Sequence, residues 1–117
     1  MIVAQKDRSM SLQKEMLAGH YQRLAQAKAR GQKVVYTFVP GNLSELLLTF
    51  DVLPVYPEIN ALQAGMRGRS GEFILEAERG GHSEDVCSYV KCDLGMLAKG
   101  NVGPTGDTIP PPDLLLL

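Results

Sequence analysis

The chain is short of the residues that usually announce metal or nucleic-acid chemistry. Its 117 residues include only two cysteines and two histidines, so no thiolate tetrad can be assembled from this sequence alone. Cys87 and Cys92 lie five positions apart, which is not the C-x-x-C spacing of a redox motif. The net charge is −1 and no four basic residues run together. Neither nucleic acid nor an anionic membrane surface is therefore an expected partner. No stretch approaches the roughly 18 apolar residues of a membrane-crossing helix. The opening "MIVAQKDRSMSLQKE" turns polar after four residues, unlike a secretion signal. A cytoplasmic setting is expected, with the thiols kept reduced and available for metal or thiol chemistry. "GMRGRSG", Gly65 to Gly71, follows no clear strand and lacks both the G-x-G-x-x-G and the G-K-[ST] patterns. It reads as a turn between helices, with no nucleotide role.

What is present is ordinary globular material, 44% hydrophobic and 21% charged, enough for one small domain or part of a larger one. Ser9 or Ser11 can cap a first helix of about two dozen residues stopped by Gly31. Leu12, Met16, Leu17, His20, Leu24 and Ala27 form its apolar stripe. "KVVYTFVP" is rich in β-branched and aromatic residues and predicts the first strand. "GNLSELLLTFD" predicts a helix capped by Asn42 or Ser44, with Leu43, Leu46, Leu47 and Phe50 buried. "VLPVYP" is a second strand, which its prolines put at a sheet edge or a strand end. Pro57 opens the helix "EINALQAGMRG", and "SGEFILEAERGG" is a further helix ended by Gly80 and Gly81. A glycine- and proline-rich stretch, "GNVGPTGDTIPPP", reads equally as a solvent loop or a ligand wrap. It leads to "PPPDLLLL", the start of a buried parallel strand. A buried strand is out of place at a domain's end, so the chain is expected to be the N-terminal part of something longer. The order predicts an α/β fold, a Rossmann-like parallel sheet with flanking helices. An N-terminal helical segment (1–32) precedes the α/β part (33–117), which is an incomplete domain.

The cysteines sit in "GHSEDVCSYVKCD", with Ser83 as the expected helix cap and Glu84 and Asp85 in the first turn. Projected at about 100° per residue, Val86, Val90, Leu94 and Leu97 make a stripe with Cys87 at its edge, and Cys92 points nearly the other way. Two diverging sulfurs are poor joint ligands and a poor disulfide. Cys87, near a helix start, has the field that stabilises a thiolate or an anionic cluster. A small packed hydrophobe explains the same position. His20 reads as a packing residue of the first helix. His82, beside Gly80, Gly81 and Cys87, is a weak catalytic candidate or a solvated residue before a cap.

Three stretches carry a family resemblance: "VYTFVPGNLSELLLTFDVLPVYPEINALQAGMR", "GHSEDVCSYVKCDLGMLAKGN" and "PPPDLLLL". From about Met10 to Leu117 the chain resembles the catalytic-core subunits, the B type above all, of ATP-dependent benzoyl-CoA reductases. These stand within the broader 2-hydroxyacyl-CoA dehydratase family. The resemblance implies that Cys87 is the first of three cysteines holding a four-iron, four-sulfur (4Fe-4S) cluster, with the others beyond Leu117, and that Cys92 is no ligand. It implies reduction of the aromatic ring of benzoyl-CoA, or a related CoA thioester, to a cyclic dienoyl-CoA. The implied partners are a homologous cluster-bearing subunit and ATP-hydrolysing iron–sulfur activator subunits supplied by ferredoxin. Two other readings stay open: a subunit of a 2-hydroxyacyl-CoA dehydratase working by radical dehydration, and a cluster-free α/β docking piece. The 117 residues alone are expected to be inactive, because one ligand does not hold a cluster.

Overall fold

Val34, Val35 and Thr37 are buried along the first strand, and the whole architecture is arranged around them. The computed structural model describes residues 7–41 and 43–116. In chain order the elements are α1 (Arg8–Gln26), β1 (Val34–Thr37), α2 (Ser44–Leu48), β2 (Leu53–Val55), α3 (Pro57–Met66), α4 (Ser70–Arg79), α5 (Ser88–Ala98) and β3 (Leu114–Leu116). The strands form a sheet of order β2-β1-β3 with both pairings parallel. The expected α/β class is thereby met. Pro54 lies on the edge strand opposite Val35, where its missing N–H leaves no gap in the interior of the ladder.

Two hydrophobic clusters hold the chain together. In the first, Tyr21, Leu24 and Ala27 of the α1 segment pack on Val34, Leu53, Val55 and Ile109. The Tyr21 hydroxyl donates to Asn60 Oδ1 at 2.7 Å, which satisfies both buried groups. In the second, Ala61 and Ala64 of α3, Phe73 of α4, and Cys92 and Met96 of α5 form a helical core. Full burial of a side chain the size of Phe73 contributes about 1.5–3 kcal/mol. A Cβ built on Gly95 of α5 would lie 2.7 Å from the Cα of Phe73, so the two helices meet backbone to backbone there.

Several local expectations are corrected. Asp7, not Ser9 or Ser11, caps α1, its side chain accepting from Ser9 N–H at 3.1 Å. The helix stops at Gln26, ahead of a turn that ends at the left-handed Gly31 (φ 67°). Leu12 and Met16 are exposed, because only the second half of α1 reaches the sheet. Of the four apolar residues assigned to the buried side of α2, Leu47 alone is buried, while Leu43, Leu46 and Phe50 are exposed. A five-residue helix with leucines at 46, 47 and 48 spreads them through about 200°, so one face cannot hold them all. Leu43 occupies the cap position with φ 59°, while the Ser44 hydroxyl faces Tyr56 Oη at 3.1 Å. The other proposed cap, Asn42, lies outside the described residues.

β3 is parallel as expected but not buried: Leu114 and Leu115 are 51% and 56% exposed, because no described element covers the sheet beyond β1 on that side. Its approach is fixed by Asp113, which accepts from Val34 N–H at 2.8 Å and from Lys33 Nζ at 3.1 Å. The glycine-rich stretch before it is an ordered part of the fold. Val102 and Thr108 form an antiparallel bridge, Ile109 joins the sheet core, and Pro104 is fully buried.

Candidate functional site

The site follows from how α4 ends and α5 begins. Gly81 takes φ 98°, and the N–H groups of Gly81 and His82 close the end of α4 on Glu78 O and Ala77 O. The chain then makes a tight turn instead of entering a helix. Ser83 Oγ accepts from Asp85 N–H at 3.2 Å, and Ser83 O accepts from Val86 N–H at 3.2 Å. α5 therefore starts at Ser88, four residues later than a Ser83 cap implies, and Cys87 is its N-cap residue. The Cys87 carbonyl takes the first helical bond, from Lys91 N–H at 3.0 Å.

The two sulfurs diverge as the projection says, but their environments are the reverse of those expected. Cys87 is exposed, and Cys92 is buried among Ala61, Ala64, Phe73 and Met96. The stripe that α5 turns inward is Lys91, Cys92, Gly95 and Met96, while Leu97 faces solvent. The cause is Gly95: having no side chain, it lets α4 close on that face and decides the rotation of the helix. Burial, followed by the nearby Asp93 charge, pushes the Cys92 thiol up to about 11. Cys92 is thus an inert packing thiol. Cys87 stands at the amino end of an eleven-residue helix, with backbone N–H groups nearby that carry the positive end of the helix dipole.

His82 is exposed, and its ring takes part in no hydrogen bond among the described residues. His20 is half-buried, its ring edge-on to Tyr21 at 5.8 Å. Burial, with a smaller contribution from Arg23, lowers its pKa, which fits a packing residue. The turn containing "GMRGRSG" joins α3 to α4 as expected. Its Arg69 lies over the Phe73 ring and pairs with Glu72 at 2.9 Å.

Two residues acquire importance that sequence reasoning did not give them. Lys91 is 4% exposed and holds Glu78 Oε1 at 2.7 Å and Glu84 O at 2.8 Å. Asp93 borders a cavity of about 220 Å³ with Tyr36, Asn60, Met96 and Ile109, and burial pushes its carboxyl up to about 6. The only available signal was a lysine and an aspartate flanking an apolar cysteine in a helix, which a solvated face explains equally well. Among the described residues no group of three or more His, Cys, Asp or Glu is placed to hold a metal ion. Cys87 can supply one thiolate to a cluster and no more, so the described residues by themselves do not fit a complete cluster site.

A parallel three-stranded sheet carrying a helical pair, with an exposed cysteine at a helix start, defines an α/β protein whose one accessible thiol lies outside its core. Over 112 residues, 96% of this chain, the sequence is 57% identical to the B subunit of benzoyl-CoA reductase from Thauera aromatica. It is 35% identical over 113 residues to the (R)-phenyllactyl-CoA dehydratase alpha subunit of Clostridium sporogenes. It is 33% identical over 104 residues to the (R)-2-hydroxyisocaproyl-CoA dehydratase alpha subunit of Clostridioides difficile. These matches cover 88% and 87% of the chain. No protein-family model matches. The chain is homologous to a portion of these enzyme subunits, as the family resemblance implied, and spans about a quarter of the length of the curated relatives it matches. No helix among the described residues is long and apolar enough to cross a membrane.

Proposed function

We propose that this chain is part of the catalytic-core subunit of an ATP-dependent benzoyl-CoA reductase. Cys87 contributes one thiolate to a 4Fe-4S cluster whose other ligands come from outside these residues. The observation that supports this most is the 57% identity across nearly the whole chain, against 35% and 33% to the dehydratase subunits. The geometry is consistent with it. Cys87 is exposed at a helix amino terminus, where partial positive charge favours an anionic ligand and access is open. A cluster held in this way supplies one-electron transfer at low potential. What the chain itself contributes is the fixed position of one sulfur and exclusion of the other from it. In this reading the stretch 1–32, whose residues 1–6 lie outside the described residues, is a helical segment ahead of the α/β portion 33–117. The working enzyme also needs a homologous subunit and ATP-hydrolysing activator subunits fed by ferredoxin, in the cytoplasm. Benzoyl-CoA is the substrate.

The alternative is a 2-hydroxyacyl-CoA dehydratase, supported by the weaker similarity to both dehydratase subunits. The complete complex, prepared without oxygen, distinguishes the two: ATP-coupled loss of aromaticity from benzoyl-CoA marks the reductase, and water loss from a 2-hydroxyacyl-CoA marks the dehydratase. In the complete subunit Cys87→Ser should remove the iron of one cluster while Cys92→Ala keeps it. Full iron in Cys87→Ser would overturn the ligand assignment.

A further inference from the structure

Lysine is rarely buried unless it is paired, yet Lys91 is almost wholly enclosed near the start of α5. Its ammonium joins two separate pieces of chain. One is the Glu78 carboxylate in the last turn of α4, at 2.7 Å, and the other is the Glu84 carbonyl in the loop before Cys87, at 2.8 Å. An apolar side chain there would pack the helices together equally well. Only a donor can also bind a loop carbonyl.

That loop has little else to hold it. Glu84 and Asp85 are exposed and Val86 is half-buried. The other hydrogen bonds of residues 83–86 stay inside the segment, Asp85 N–H to Ser83 Oγ and Val86 N–H to Ser83 O. Among the described residues, the bond from Lys91 Nζ is the one that ties this turn to the folded body. Cys87 follows the turn immediately, and its own carbonyl receives the Lys91 N–H. Lys91 therefore reaches Cys87 from two sides, through the backbone of α5 and through the turn that delivers the chain to it.

We propose that Lys91 is a positioning residue: its enclosed ammonium fastens the 83–86 turn to α4 and so sets where the Cys87 sulfur stands at the start of α5. This rests on the ligand role given to Cys87 above. The lysine touches neither the sulfur nor a substrate. It acts by restricting the backbone on which the sulfur is carried.

The test is hydrogen exchange on the complete subunit that contains these residues, comparing the parent with Lys91→Met, Lys91→Arg and Glu78→Gln. Removing a charge-assisted bond should speed exchange of the hydrogen-bonded amides of Asp85, Val86 and residue 91 roughly tenfold or more, while amides of Phe73, Ala77 and Met96 change by less than about twofold. Lys91→Arg should restore protection of the loop, because it keeps a cationic donor. Glu78→Gln keeps the ammonium but weakens its anchor, and should loosen the same residues to a smaller extent. It serves as the test if Lys91→Met does not fold. Faster exchange spread evenly through α4 and α5 would show a mere core strut, and unchanged exchange at the amides of 85, 86 and 91 would show no clamp. Either result overturns the proposal. If Lys91→Met loosens only the loop while Cys87→Ser keeps its iron in the complete subunit, the clamp stands and the ligand assignment falls.

Discussion

Gly95→Ala puts the helical core to its sharpest test. The added methyl would fall inside the van der Waals envelope of the Phe73 carbonyl and 2.7 Å from its Cα. Those atoms are backbone, so no side-chain rotation relieves the clash. α4 must retreat until the Phe73 carbonyl clears the methyl, which unseats the fully buried Phe73 and its neighbours Cys92 and Met96. Overpacking of a core costs about 1–3 kcal/mol and more where the neighbour is rigid. Alanine's better helix propensity returns about 1 kcal/mol. The net loss should be about 2 kcal/mol, which for a chain of this size lowers Tm by on the order of 10 °C. Gly19→Ala is the matched control, because Gly19 is also inside a helix and its added Cβ meets nothing within 4 Å. That change should raise stability by about 0.5–1 kcal/mol. Thermal and urea melts followed by far-UV circular dichroism measure both. A Gly95→Ala protein as stable as the parent would refute the close approach of α4 and α5, and with it the reason given for the rotation of α5.

Burial pushes the Asp93 carboxyl up to about 6 from 3.8. The folded state thus holds its proton more tightly than the unfolded state, and stability should fall as pH rises from about 4 to about 6 and then level off, by about 2–3 kcal/mol at most. Asp93→Asn should remove that component, so urea midpoints of the two proteins should converge near pH 4 and separate near pH 7 in favour of the variant; a constant difference would contradict the burial. For the thiols, an aromatic disulfide reagent should label one cysteine rapidly in the native chain and the second only on unfolding. Cys87→Ser should abolish the rapid phase, and rapid labelling that survives in that variant would contradict the buried position of Cys92.

Much of the fold was legible because the governing signals are local. β-branched density marked β1, the prolines marked β2 as an edge, Pro57 marked the start of α3, and Gly80 with Gly81 marked the end of α4. The order of elements gave the parallel sheet. Burial was less legible wherever it depends on what lies opposite. Leu43, Leu46 and Phe50 look like core in sequence, but α2 is too short to turn them inward. Leu114 and Leu115 look like a buried strand, but the described elements leave that edge of the sheet uncovered.

The candidate site shows the same division. Five residues at about 100° each leave Cys87 and Cys92 about 140° apart, whatever residue begins the helix. That much the sequence contains, and it is enough to deny the two sulfurs a common metal. Which of them faces the core is a different question, because a helix with apolar residues on several sides has more than one face it can bury. Here the choice is made by the carbonyl of Phe73 in α4, which only a glycine admits and which finds one at Gly95. The face containing Gly95 also contains Cys92, so Cys92 goes inward and Cys87 is left at the open amino end of α5. Accessibility of the sulfur is thus settled eight residues away from it, by a contact between helices that no periodicity along α5 could reveal.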